Sequence, residues 1–491
     1  MMSDADDDMN GGEDGEDASS EPSRSDRAET TISIAEARAH RRGRGKAQEA
    51  EIRLAIQRIN QDHAVVMAGT RVVVLQERLD EKGLRDIAFL GTRAFFDWFA
   101  SEQYRTGREE ESIGQLWWRS AARRQYSGVT FIPGREAPPG WYNLWGGYSV
   151  EPREGPFPHI FWDHLFTNVA RKNQELFIWI VTWYAHLIQR PWERPGTALV
   201  LRGKEGTGKT KPGEIIGSLL RQHYLLVDQP RYLVGNFNAH LKSCLFLQAD
   251  EAIWAGDRHA ESTLKSLITA SDLMIEPKGL DPIRVPCYLR LMMTSNASWI
   301  VPAGFQSRRW CVVDVGDTVC QDRNYFASME HELDHGGREN LLWALLNWDL
   351  GQADIHRVPM TDALFEQREQ SLDRQQEWWE ERLMEGTPSA GDSSWPPWIL
   401  SSVLHASYLA HVDRHDRGGY KRGDRQFFIH QKPLLPPTFH RRRKRIETYD
   451  EHGSAVKSNS WVYFLPSLED CRAHFEELMG GKIDWGERDD G

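Results

Sequence analysis

Apolar and polar positions change their spacing several times along this chain, and each change marks a predicted element by its period. Two apolar runs, "HAVVMA" and "RVVVLQE", flank Ala68-Gly69 and predict a strand hairpin. Helical spacing precedes them in "SIAEARAHRRGRGKAQEAEIRLAIQRINQ" and returns between Asp163 and Gln189. The text between is rich in Trp and Arg, and its Pro/Gly density over 132–158 predicts a surface connector. "RPWERPG" (Arg190–Gly196) then breaks the helical period. From 197 to 315, short apolar runs alternate with helical stretches: "TALVL", "CLFLQAD", "YLRLMMTSN" and "CVVDV". That alternation predicts an α/β domain. Helical text continues to Gly386, and "TPSAGDSSWPP" (387–397) has the composition of a linker. The remainder predicts a helix over about Ile399–Arg414 and two strands within "RRRKRIETYDEHGSAVKSNSWVYFLP". A last helix, Leu468–Leu478, has Ser467 placed to cap it. The expected organisation is a tail (1–30), an N-terminal α+β region (31–150), a helical collar (151–196), the α/β core (197–315), a helical region (316–386), the linker, and a C-terminal module (398–480).

Charge changes this picture at one end only. Of the formal net charge of −12, residues 1–30 hold eleven acids against Arg24 and Arg27, so the rest is close to neutral. A run this acidic and this poor in apolar residues predicts a disordered tail, and leaves room for basic surfaces elsewhere. Five cysteines without a CxxC pair support neither a disulfide framework nor a zinc ribbon. The most apolar run, "LFIWIVTWYAHLI" (Leu176–Ile188), is 13 residues long, too short for a bilayer and suited to a buried helix. The expectation is a soluble protein of a reducing cytoplasm with no membrane partner.

The chemistry concentrates in the α/β stretch. Gly203-Lys204-Glu205-Gly206-Thr207-Gly208-Lys209-Thr210 matches GxxxxGK[ST] in full and follows the strand run "TALVL". Backbone N–H groups must close around a polyphosphate there, which is why Gly203, Gly206 and Gly208 are small. Lys209 is expected to reach the β/γ-phosphates of ATP and Thr210 to ligate Mg²⁺, with a helix starting near Lys209. Pro212 is tolerated in a first helical turn. About forty residues on, "CLFLQADEA" ends an apolar strand in Asp250-Glu251. Asp250 is expected in the Mg²⁺ shell and Glu251 as the base that polarises water. "YLRLMMTSN" ends in Asn296, which is either a γ-phosphate sensor or a turn residue. Arg308 and Arg309 precede "CVVDV" and are either an arginine finger or a salt-bridged pair. "IEPKGLDPIRV" predicts a hairpin with Lys278-Gly279 at its tip, placed to grip a phosphate backbone; alone it would be an ordinary solvated turn.

This ordered set resembles the superfamily 3 helicases, AAA+-like ring ATPases of viruses, phages and plasmids. More closely, "RRQYSGVTFIPG", "YNLWGGYSVEP", "ALVLRGKEGTGKT", "GNFNAHLKSCLFLQADEA", "EPKG", "TSN", "RRW" and "SLDRQQEWW" look like the helicase part of phage and prophage primase–helicase (primase–polymerase) proteins. The resemblance runs from about Ile52 to Leu478. It implies a P-loop NTPase core, ATP hydrolysis with Mg²⁺, a homo-hexamer, and a central channel in which Lys278 contacts single-stranded or forked DNA. It also implies a replication partner, a primase or polymerase, in a bacterial host cell. Residues 1–196 offer no set of metal-binding acids for primer synthesis, and Pro212-Gly213 depart from the smoother helix of the group. The C-terminal module resembles a winged helix, in which Arg441, Arg442, Arg443 and Lys444 of "HRRRKR" either touch DNA phosphates or form a solvated basic face. The functional expectation is an ATP-dependent DNA helicase without its own primase domain. The alternative is an ATP-dependent loader or origin-recognition protein that binds DNA and does not unwind it.

Overall fold

A computed structural model describes residues 34–81, 83, 85–106, 109–234, 239–251, 258–275, 283–305, 307–415, 420–449 and 455–486. The acidic tail lies outside the described residues. The chain divides into two compact units, one of Met1–Gln61 with Phe99–Ala122 and one of Asp62–Trp98 with Arg123–Gly491.

In the smaller unit, most of the helix Ile34–Asp62 accompanies an antiparallel pair, Gln103–Thr106 with Glu109–Ser112, and the short helix Ile113–Arg119. Ser112 caps that helix by accepting from Gln115 N–H, and the buried Trp117 indole donates to Asn60 Oδ1 at 2.8 Å.

The larger unit is organised by a five-stranded parallel sheet. Its spatial order is Tyr224–Val227, Phe246–Asp250, Arg290–Ser295, Ala198–Arg202, Trp310–Asp314. Apart from the first, these strands bury every side chain except the last residue of three of them, as strands covered on both faces must. Leu199, Leu201, Phe246, Met292 and Val313 face one core together with the helix Gln174–Gln189. Ala198, Val200, Leu247, Leu291, Met293 and Val312 face the other, where Leu264, Leu267 and Ile268 of the helix Arg258–Thr269 pack. Each such buried Leu, Ile, Val, Met or Phe side chain contributes on the order of 1.5–3 kcal/mol. The apolar run Leu176–Ile188 is therefore core: Asn173 caps its helix, and Trp179, Trp183 and Tyr184 are buried. No helix among the described residues is long and apolar enough to cross a membrane.

Ahead of this sheet, His63–Ala68 pairs antiparallel with Arg71–Leu79, which pairs in turn with Arg85–Leu90. After it, a three-stranded antiparallel sheet has the order Trp398–Leu400, Ala455–Phe464, His440–Tyr449. The helix expected from Ile399 thus begins at Ser401, because Trp398–Leu400 registers against Val462–Phe464 as a strand. Helices Arg374–Glu385, Ser401–His415, Asp424–Gln431 and Leu468–Met479 close a core around Trp378, Trp379, Tyr408, Phe427, Tyr463 and Phe475. Ser467 Oγ caps the last helix by accepting from Asp470 N–H at 3.0 Å.

Candidate active site

The loop Gly203–Thr210 leaves the carboxyl end of the strand Ala198–Arg202 and enters the helix Lys211–Ser218. That helix starts two residues later than the sequence predicts, with Thr210 at its cap and Pro212 in its first turn. Gly213 sits where an added Cβ would fall 2.0 Å from Gln248 Oε1, so this glycine lets the helix approach the neighbouring strand. Gln248 is fully buried, accepts from Tyr224 at 2.7 Å and donates to Thr210 C=O at 3.1 Å.

The loop's hydrogen bonds divide by polarity. Its carbonyls are tied outward: Lys204 to Thr207 Oγ1, Glu205 to Cys320, Gly206 to Gln321 N–H, Thr207 to Asn168, and Gly208 to Lys211 N–H and within 3.2 Å of His164 Nε2. Apart from the turn at Glu205-Gly206, which brings Thr207 N–H toward Lys204 C=O, no group among the described residues accepts from the N–H donors of 204–210. A run of backbone donors of this kind could cradle an anion, because such groups are rarely left unmatched. Gly206 and Gly208 adopt φ of 79° and 80°, a region that side chains disfavour. A Cβ on Gly208 would also lie 2.6 Å from the Phe326 ring and 2.8 Å from His164. The cradle thus fits a polyphosphate and excludes bulk.

His164 and Asn168, which sequence reasoning missed, lie on a π-helical turn, His164–Val169, and are almost wholly buried behind the loop. Burial pulls the His164 imidazole down to about 4. Two buried polar side chains in "HLFTNV" are the only sequence signal of that support.

Asp250 and Glu251 stand at the carboxyl end of the strand Phe246–Asp250, two strands from the loop strand. Between them runs Arg290–Ser295, and its tip grips both acids. Thr294 Oγ1 donates to Asp250 Oδ1, and Ser295 Oγ donates to Glu251 Oε2 at 3.0 Å. Asn296 reaches Glu251 Oε1 through its backbone N–H at 2.9 Å, while the residue itself is exposed and lines a cleft of about 440 Å³ with Arg171, Gly203, Lys204 and Asp317. Glu251 has φ of 52°, a strained turn for a non-glycine residue that directs its carboxylate back across the sheet edge. The buried Lys209 places Nζ 3.6 Å from Glu251 Oε1. Lys209, Asp250, Glu251 and Asn296 are therefore brought together, with Thr210 at the mouth of the adjoining helix. Thr294 and Ser295 are functional candidates that the adjacent hydroxyls of "TSN" could have signalled.

Arg308 and Arg309 are not part of this constellation. They precede Trp310–Asp314, whose carboxyl end registers with Arg202 beside the loop, so the arginines lie at the opposite edge of the sheet. Arg308 is exposed and Arg309 half-buried. Strands Asp272–Ile275 and Ile283–Pro286 pair antiparallel, but Lys278 between them lies outside the described residues.

The four basic residues of the C-terminal strand differ in role. Arg441 stacks over Phe428, Trp461 and Tyr463, bonds Ser401 Oγ at 3.1 Å and pairs with Asp424 at 3.3 Å, which makes it a packing residue. Arg442 and Arg443 are exposed, and Lys444 Nζ stands 3.9 Å from the Trp398 ring centre.

A model described as a family of unknown function (DUF5906) matches residues 201–309, from the loop strand to the arginine pair. A protein named DNA Primase-polymerase, from Nitratiruptor phage NrS-1, is 24% identical over 259 residues, covering 48% of this chain. The match spans 35% of that relative's length. Among solved structures, the apo NrS-1 C-terminal region (305-718) superposes with a TM-score of 0.58 at 16% identity, over 82% of this chain and 97% of that one. An A-form apo structure of the NrS-1 C-terminal region gives 0.57 at 15% identity, over 83% and 97%. The chain is thus similar in sequence to a phage primase-polymerase and shares the mixed α/β fold of the NrS-1 C-terminal region.

Proposed function

We propose that this chain is an ATP-driven DNA helicase of phage or plasmid replication, built on a P-loop core of superfamily 3 type with a winged-helix-like C-terminal module. The observation that carries the reading is the cradle of largely unaccepted N–H donors at 204–210, with Lys209 facing Glu251 across the sheet edge. Ligands of open parallel sheets bind outside the carboxyl ends of the strands, where this cradle lies. In this reading the loop N–H groups and Lys209 hold the β- and γ-phosphates. Thr210 and Asp250 would hold Mg²⁺, which would shield the phosphate charge. Glu251 takes the proton of the attacking water, and the Ser295 hydroxyl and Asn296 N–H fix the carboxylate that does so. Arg308 or Arg309 serves the site of a neighbouring copy in a ring, and Lys278 moves the DNA. The likeness to a phage primase-polymerase supports a replication role.

ATP hydrolysis with and without single-stranded DNA, beside strand separation on a forked substrate, tests the proposal. DNA-stimulated hydrolysis and unwinding, both lost in Lys209→Ala, are the expected results. Hydrolysis and DNA binding without strand separation would favour a loader instead, and an intact rate in Lys209→Ala would remove the nucleotide reading altogether.

A further inference from the structure

The ribbon formed by His440–Tyr449 and Ala455–Phe464 carries five consecutive cations, Arg441 to Arg445, on one strand. Because alternate residues of a strand face opposite sides, the run is two different surfaces. On one side Arg441 lies opposite Tyr463, Arg443 opposite Trp461 and Arg445 opposite Asn459. That side is buried at the Tyr463 end, where Phe428 and Phe439 pack. It opens toward solvent along the ribbon: Trp461 is 46% exposed, and Arg443, Arg445 and Asn459 are exposed. On the other side Arg442 stacks over Phe464 and Lys444 over Trp398.

What sets Trp461 apart among the exposed apolar side chains of this module is its setting, with the Arg441 and Arg443 guanidiniums 5.1 and 5.4 Å from its ring centre. Arg441 has a carboxylate partner in Asp424; among the described residues Arg442, Arg443 and Arg445 pair with none. The combination is a cationic track with a π-face at one end. Phosphates alone would require only the cations. A duplex keeps its bases stacked inside, so the tryptophan face would have nothing to stack against. An unpaired base has a free π-face, and proteins that hold single strands combine such a groove with such a ring.

We propose that this side of the ribbon is a single-stranded nucleic acid site, in which Arg443 and Arg445 hold successive phosphates and a base stacks on Trp461. Arg443 and Arg445 are two residues apart, roughly 7 Å along the strand. Arg441 holds the tryptophan in place and does not contact the ligand. The inference deepens the DNA-contact reading of this module and does not depend on ATP.

The test is fluorescence anisotropy of the full chain without nucleotide, titrated with labelled oligo(dT), an abasic oligomer of the same length, and a duplex. The wild type is expected to bind oligo(dT) more tightly than either of the others. Trp461→Ala should weaken oligo(dT) about tenfold, to the level of the abasic strand, whereas Trp461→Phe should retain most of the preference. Arg445→Ala, an exposed change that leaves the core untouched, should lower the slope of log affinity against log salt by about 0.7. Salt-dependent binding that ignores the base, in wild type and Trp461→Ala alike, would overturn the stacking site while leaving a phosphate contact in the module. A preference for duplex, or no binding to any of the three, would overturn it as well.

Discussion

Lys209 Nζ and Glu251 Oε1 lie 3.6 Å apart, joining a loop and a strand end that are 42 residues distant in sequence and separated by an intervening strand. Asn296 N–H donates to the same Oε1, and Ser295 Oγ holds the other oxygen, Oε2. If Glu251 activates water, Glu251→Gln should lower ATP turnover at least about 100-fold while ATP still binds. Ser295→Ala removes one bond to the carboxylate and should lower kcat about tenfold with KM nearly unchanged. Steady-state hydrolysis and equilibrium binding of a fluorescent ATP analogue check both. Normal turnover in Ser295→Ala would show that the serine does not orient the base.

Gly208 is confined in two independent ways, by its φ of 80° and by the Phe326 and His164 rings at the place of a Cβ. Gly208→Ala should therefore destabilise the chain by about 1–3 kcal/mol and weaken nucleotide binding. Adding Phe326→Ala relieves the contact but not the backbone conformation, so the double variant should recover stability only in part. Chemical denaturation of the single and double variants separates the two effects, and full recovery would assign the whole penalty to the ring contact.

The central sheet was legible because strands buried on both faces read as unbroken apolar runs, and the loop because glycine spacing is a local property. What joins them was not local. Thr294 meets Asp250 only because the strand between loop and acids places them in register, and strand order cannot be read from apolar runs. The sequence points to the Asn296 side chain, yet its contact with Glu251 runs through the backbone. His164 and Asn168 sit some forty residues ahead of the loop they support, on a π-helical turn without a residue signature. In "HRRRKR" the charges read as equivalent; all three arginines lie near rings, and it is the partial burial of Arg441 and its bonds to Ser401 and Asp424 that set it apart from the exposed Arg442 and Arg443.

His223 gives a stability prediction with a defined sign. Its ring stacks on Trp145 at 4.9 Å and packs against Phe131 at 5.0 Å; Nδ1 is bonded to Ser243 C=O at 2.9 Å, and Nε2 accepts from Gly146 N–H at 3.0 Å. Protonation would turn Nε2 into a donor facing a donor. Burial, only partly offset by the Ser243 bond, pulls its pKa down to about 4. The unfolded imidazole titrates near 6.5, so below that pH the unfolded state binds the extra proton. Stability should be full above pH 6.5 and fall as pH drops to 4, by up to about 3 kcal/mol from this residue. Denaturant midpoints across that range, compared with those of His223→Gln, measure the loss. A wild-type profile no steeper than the variant's would refute this role.

The position of Arg308 and Arg309 leads to a prediction about assembly. The strand Trp310–Asp314 separates them from the loop edge by five residues, roughly 17 Å, more than an arginine side chain spans. Within one copy they do not reach the cradle, so a role in hydrolysis requires a neighbouring copy. A head-to-tail ring brings the opposite edge of one copy to the loop edge of the next. Lys209→Ala and the double variant Arg308→Ala/Arg309→Ala should then each be inactive alone. Mixed in equal amounts with free exchange of copies, up to about a quarter of the interfaces would pair an intact loop with intact arginines and regain hydrolysis. Single substitutions read in the same mixture identify which arginine acts. Verified exchange of copies with no regain of hydrolysis would place both arginines outside the chemistry and leave them as surface cations of the sheet's amino edge.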